Sequence, residues 1–168
     1  MLPAQYQAFY DQLTAHIDPA RLITDPTRTL AYGTDASFYR LVPKIVAQVN
    51  SESEIAALLA LAHQHRVAVT FRAAGTSLSG QAVTDSVLVT LGAGWTGQEV
   101  LDGGARIRLQ PGVIGQHANN TLARWAAKSA PIRPRSPPRA LAAWRPIILR
   151  ACAAAPRKTA TTRCRRCG

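Results

Sequence analysis

In "PAQYQAFYDQLTAHI" the apolar side chains Tyr6, Phe9, Tyr10, Leu13 and Ile17 fall on one face at helical spacing, which predicts a helix. "TDPTRTLAYGTDASFYRLVP" has neither period and reads as loop and short turns, with Asp25-Pro26 as a breaker. "KIVAQV" is a short β-branched strand, and "NSESEIAALLALAHQHR" a helix whose stripe is Ile55, Leu58, Leu59 and Ala62. Ser51 and Glu54 have the spacing of a capping box at its start. His63, His65 and Arg66 close it, where a cation suits the helix dipole better than catalysis explains them. "VAVTF" is the next strand, so residues 44–71 form a βαβ unit with parallel strands and a right-handed crossover.

After "RAAGTSLSGQAVTD" come three more strand patterns, "SVLVTL", "QEVL" and "ARIRLQP"; Asp102-Gly103-Gly104 between the last two is a hairpin signal. "GVIGQHANNTLARW" then reads as a helix carrying Val113, Ile114, Ala118, Leu122 and Trp125. A βαβ unit followed by meandering strands predicts an α+β fold rather than a doubly wound sheet.

Charge divides the chain. Of its 20 Lys+Arg, 9 lie in residues 1–125 together with all 9 Asp+Glu, so that body is neutral; the other 11 lie in residues 126–168 with no acid. The cysteines, Cys152, Cys164 and Cys167, are also in this basic tail, so the body has no disulfide framework and suits a reducing compartment. The N-terminus shows no basic and apolar leader, and no run reaches the roughly 20 apolar residues of a membrane span.

The segment with chemistry is "RAAGTSLSGQA", directly after a strand. Consecutive small residues let backbone N–H groups converge on an anion. Gly75 and Gly80 permit positive φ, Thr76, Ser77 and Ser79 add hydroxyl donors, and Arg72 adds charge. A P-loop needs Lys and Ser/Thr after its last glycine, and here Gln81 and Ala82 follow Gly80. The dinucleotide fingerprint needs three glycines opening a helix. What remains, beside an ordinary surface loop, is a diphosphate loop without a catalytic lysine.

"YGTDASFYRLVP", "VTFRAAGTSLSGQA", "VLVTLG" and "LQPGVIGQHAN" together resemble the N-terminal part of FAD-linked oxidases whose flavin domain is of the vanillyl-alcohol-oxidase (PCMH) type. The likeness is nearest to bacterial FAD-dependent D-lactate and D-2-hydroxyacid dehydrogenases and covers roughly residues 28–125. The resemblance implies an incomplete PCMH-type domain, a βαβ subdomain plus the start of a second mixed or antiparallel one, after an N-terminal helical segment at 1–27. It also implies FAD as cofactor, bound by the loop Arg72, Ala73, Ala74, Gly75, Thr76, Ser77, Leu78, Ser79, Gly80 and Gln81 with Pro111, Gly112 and Val113. In the intact family enzyme a D-2-hydroxyacid, D-lactate first, passes a hydride to the flavin, and iron–sulfur sites occur downstream in some members. That enzyme would be cytoplasmic, with peripheral contact at the inner membrane face open to it. No catalytic or metal residue is assigned in this chain; Asp35, Tyr39 and His117 are more simply turn, packing and helix-surface residues.

The family pattern breaks after Trp125. Loss of one G where a Trp codon meets a Gly codon converts a family-like "WGRKIGPDPAS" into the observed residues 125–135. Shifting Ala140 through Arg163 back permits "IGGMAANNSSGMCCGTAQNSYHTL", the glycine- and asparagine-rich segment that lines the flavin in the family. Residues 126–168 hold 11 Ala and 6 Pro, the bias of GC-rich DNA read out of frame. The tail is therefore expected to be frameshifted, disordered and off the body, and the chain inactive alone. The rival function is a basic protein whose Arg-rich tail contacts nucleic acid, with Trp144 stacking. A zinc half-site at Cys164 and Cys167 lacks a second ligand pair.

Overall fold

A computed structural model describes residues 2–125, 127–129 and 147–153 of the 168-residue chain. It opens with α1 (Ala4–Leu13), a 3₁₀ turn at Pro19–Arg21, β1 (Leu22–Ile23) and α2 (Pro26–Ala31). The expectation of loop and turns at 24–43 is corrected here by α2. Asp25, read as a breaker, is instead its N-cap and accepts the Arg28 N–H at 2.8 Å, while Pro26 stands at the first helical position, where no N–H is needed.

Next come β2 (Ile45–Val49), α3 (Glu52–Gln64), β3 (Val69–Arg72) and β4 (Val87–Leu91). The first sheet has the order β1-β2-β4-β3, with β4 parallel to both β2 and β3. The strands of the predicted βαβ unit are thus not neighbours, because β4 fills the gap that the α3 crossover leaves. Val87, Leu88 and Val89 are wholly buried, as a central parallel strand covered on both faces requires. On one face Phe9, Leu13 and Ile17 pack with Ile55, Leu58, Ala62 and Trp95; on the other Ile23, Val46 and Leu88 pack with Tyr32.

The capping prediction for α3 holds: the Ser51 Oγ accepts the Glu54 N–H at 3.3 Å. The Glu54 carboxylate in turn receives Arg21 Nη1 at 2.9 Å and Nη2 at 2.8 Å, tying the helix start to the 3₁₀ turn. At the other end His65 meets Gln12 at 3.1 Å and sets its ring edge-on to Phe9, so its part is to join α1 to α3. Leu59, placed in the apolar stripe by its spacing, is 43% exposed, so that side of α3 is left open among the described residues.

The second sheet begins with β5 (Gln98–Leu101) and β6 (Arg106–Leu109), an antiparallel hairpin as expected. Asp102, Gly103 and Gly104 all take positive φ in its turn. Then comes α4 (Gly115–Ala123), whose Ala118 and Leu122 bury against Ile107, Leu109 and Val113. Trp125, expected on the same stripe, lies past the helix end and is 52% exposed. β7 (Ala127–Ser129) and β8 (Ile147–Ala153) complete the order β5-β6-β8-β7.

The expectation that residues 126–168 stay off the body is thereby corrected for these two segments. An open edge on β6 offers main-chain N–H and C=O groups to any extended segment, whatever its side chains. What the sequence led us to expect of the rest of the tail, including Cys164 and Cys167, falls outside the described residues.

Candidate functional site

β3 runs along the edge of the first sheet and delivers the chain into residues 72–82, where the small-residue loop begins. Gly75 and Gly80 have φ of +63° and +70°, the left-handed conformations their identity suggested. The exit is anchored: Ala82, Val83 and Thr84 are buried, and the Ser86 hydroxyl donates to the Ala68 carbonyl at 2.7 Å. A supple stretch is therefore stretched between two fixed points.

The loop turns inward on itself. Ser77 Oγ accepts the N–H of Ser79 at 3.2 Å and of Gln81 at 3.1 Å. A hydroxyl that accepts two amide protons keeps its own for a third partner and is polarised to donate it. The simple picture of amides all facing one anion changes accordingly, since two of them act through Ser77. Thr76, Leu78, Ser79 and Gln81 are exposed on the outer surface.

Arg72 does not reach outward. Its Nη1 donates to the Tyr32 carbonyl at 2.9 Å, and its guanidinium lies where a Cβ on Gly75 would stand, 2.6 Å from Nε and Nη2. Its positive charge thus sits beneath the loop.

The segment 32–41, in which Asp35 and Tyr39 read as turn and packing residues, forms the opposite wall. Asp35 Oδ1 accepts the Ser37 N–H at 2.8 Å and Ser37 Oγ accepts the Tyr39 N–H at 3.2 Å, two consecutive side-chain turns. The Ala36 N–H donates to the Gly75 carbonyl at 3.0 Å. The Tyr39 ring covers Gly80, where a Cβ would come within 2.6 Å of Cδ2. A groove of about 270 Å³ lies between the walls, lined by Tyr39, Arg40, Leu41, Ser79, Gly80 and Val83. Phe38 and Leu78, the chain neighbours of Tyr39 and Ser79, are exposed. The signal available in the sequence was the aromatic pair Phe38-Tyr39 inside a polar loop.

Hydrogen bonds from Ser37 hold the Asp35 carboxyl below the usual carboxylate range, chiefly from its hydroxyl. The Ala82 N–H and the Arg72 guanidinium act the same way, and burial opposes them. The predicted second group, Pro111, Gly112 and Val113, sits apart in sequence and is tied to residues 95–97. A Cβ on Gly112 would stand 2.5 Å from the Trp95 carbonyl, and the Gln110 N–H next to it donates to the Gly97 carbonyl at 2.9 Å. His117 lies exposed on α4, as its reading as a surface residue supposed.

Several solved structures share this fold. An alkyldihydroxyacetonephosphate synthase superposes with a TM-score of 0.61 at 18% identity, over 75% of this chain and 26% of its own. A p-cresol methylhydroxylase gives 0.61 at 8% identity, over 76% and 26%. A 6-hydroxy-D-nicotine oxidase from Arthrobacter nicotinovorans gives 0.53 at 20% identity, over 64% and 24%. The chain therefore spans about a quarter of the length of these proteins. No curated protein matches its sequence. The FAD binding domain family does match, over residues 43–139, more than half of the chain and inclusive of β2 to β6 and the loop. The chain belongs to that FAD-binding family, and FAD is its cofactor.

Proposed function

We propose that this chain is the N-terminal FAD-binding part of an oxidoreductase that oxidises a D-2-hydroxyacid, D-lactate first among them. The observation that carries the cofactor assignment to particular residues is the loop at 72–81. It has two glycines at positive φ, a Ser77 hydroxyl focused by two amides, no acidic side chain, and the Arg72 charge beneath it. That donor set fits a diphosphate that arrives without a metal, because neutral dipoles and one cation suffice to balance it. Residues 72–81 would hold the diphosphate, and Pro111, Gly112 and Val113 would approach the cofactor from the second sheet. When bound, FAD supplies the hydride acceptor; this chain's part is to bind and orient it. The choice of a D-2-hydroxyacid rests on the sequence motifs, and substrate-binding residues would lie beyond this part. Among the described residues no helix is long and apolar enough to cross a membrane.

Residues 126–168 fit the same proposal as an out-of-frame segment. The pairing of β8 with β6 is compatible with that, because a main-chain ladder does not read side chains. The test is the gene: one base inserted at the Trp125 codon should open a frame that continues into a glycine- and asparagine-rich segment. The protein from that restored frame should purify yellow, and its flavin absorbance should bleach with D-lactate and not with L-lactate. A colourless product, or bleaching by the L-isomer alone, would overturn the assignment.

A further inference from the structure

Arg72 is the last residue of β3 and is paired with Thr90 of β4, so its backbone is fixed by the first sheet. The far end of its side chain is fixed as well. Nη1 donates to the Tyr32 carbonyl at 2.9 Å, and Tyr32 is both the C-cap of α2 and packed on Ile23, Val46 and Leu88. A carbonyl at a helix C-terminus has no partner inside the helix and lies at the negative end of its dipole, so a guanidinium suits it. Gly75 lies against this span. A Cβ there would stand 2.6 Å from Nε, 2.6 Å from Nη2 and 2.9 Å from Cζ, so only a residue without one leaves the guanidinium in place. From the side, the Gly75 carbonyl accepts the Ala36 N–H at 3.0 Å. Gly75 is therefore required twice, by its φ of +63° and by the space its missing Cβ leaves.

We propose that Arg72 is the positioning residue of the loop: its guanidinium, braced on the Tyr32 carbonyl, is the seat that holds Gly75 against segment 32–36 and so sets how residues 76–81 leave β3. Arg72 acts through Gly75 and touches neither cofactor nor substrate. A planar guanidinium can lie in a glycine-sized gap while it donates at its tip, which a lysine ammonium, a point charge, cannot do. The importance of the seat for the cofactor rests on the reading of the loop as a diphosphate site; the holding of Gly75 does not. Without the seat, a run of small residues with two glycines samples several conformations.

The experiment uses the full chain with Arg72→Ala, Gly75→Ala and the two together. In Arg72→Ala the amides of Ala36, Ser79 and Gln81 should exchange roughly ten- to a hundredfold faster, the equivalent of one hydrogen bond to a charged group. Amides of α3 and β4 should keep their wild-type rates. Gly75→Ala keeps the charge, but its Cβ displaces the guanidinium, so it should accelerate the same amides at least as much. Because both changes remove one contact, the double variant should exchange no more than about threefold faster than Gly75→Ala alone. Unchanged exchange in Arg72→Ala, a double variant in which the two accelerations multiply, or acceleration spread equally through α3 and β4 would overturn the proposal. If Gly75→Ala does not fold, Arg72→Ala decides alone. Inorganic pyrophosphate, followed by amide shifts of Ser77–Gln81, separates a seat from a ligand. Its affinity should fall alike in Arg72→Ala and Gly75→Ala; affinity lost in the first and kept in the second would make Arg72 a direct anion ligand and overturn the proposal. A loop that loosens in Arg72→Ala while pyrophosphate moves no wild-type amide supports the positioning role and sinks the diphosphate site.

Discussion

Replacing Glu54 by Gln tests how the start of α3 is held to the rest of the first sheet. The Glu54 carboxylate accepts Arg21 Nη1 at 2.9 Å, Nη2 at 2.8 Å and the Asn50 N–H at 2.7 Å, and the two side chains are 23% and 15% exposed for Arg21 and Glu54. A hydrogen bond to a charged group contributes about 1.5–3 kcal/mol, whereas an ion pair in full solvent contributes about 0–1 kcal/mol. At these exposures the pair falls between the limits, and the Arg21 left behind can turn toward water. Gln keeps one acceptor and loses the charge, so the expected loss is about 1.5 kcal/mol at neutral pH. With a urea slope of about 1–3 kcal/mol/M, the unfolding midpoint should drop by roughly 0.5–1.5 M.

The pH dependence gives the sharper check. Arg21 above all, then the Asn50 N–H, holds the Glu54 carboxyl below its ordinary value of 4.5, against the opposing effect of burial. A depressed folded-state pKa means stability that is complete above the ordinary value and lost as pH falls through the folded value. Gln cannot titrate and resembles protonated Glu. The gap between wild type and Glu54→Gln, read from urea titrations by circular dichroism, should stay constant from neutral pH down to about 5 and close below 4.5. A gap under about 0.5 kcal/mol at neutral pH, or one unchanged in acid at about pH 3, would refute the reasoning.

Gly80→Ala should cost about 1–2 kcal/mol from φ alone at +70°, and adds a contact at 2.6 Å with the Tyr39 ring. Because Tyr39 is 62% exposed the ring can swing away, so the Tyr39→Ala/Gly80→Ala double variant should recover only the contact part; full recovery would show that φ strain was misjudged. Leu58→Ala, at a wholly buried site between α1 and α3, should lower unfolding stability by about 2–5 kcal/mol in urea titrations, and a loss under about 1 kcal/mol would mean the core there is not packed as described. The chain as written should purify colourless, because the loop offers one wall of donors to the diphosphate and bonds of about 1.5–3 kcal/mol each weaken in open water. Yellow protein that keeps stoichiometric FAD through gel filtration would show that this wall suffices.

The α+β class, α1, α3, β2 to β6, α4 and the hairpin turn were legible because each follows from a local rule of period or turn chemistry. The positive φ of Gly75 and Gly80 was legible for the same reason, since only the backbone without a Cβ settles there at no cost. Strand order was not. β2, α3 and β3 carry the same pattern whether their strands touch or leave a gap, and only the later arrival of β4, buried on both faces at Val87, Leu88 and Val89, decides the gap. Exposure of Leu59 and Trp125 was equally out of reach, because a helical period names a face without saying how much of it another element covers. The second wall of the site lay furthest from view. Asp35 and Tyr39 precede the loop by some forty residues, and nothing in "YGTDASFYRLVP" says that it lies along "RAAGTSLSGQA". Local chemistry determines what each segment can do; which segments meet, and hence which wall lies along the glycine loop, is decided by long-range packing of the first sheet.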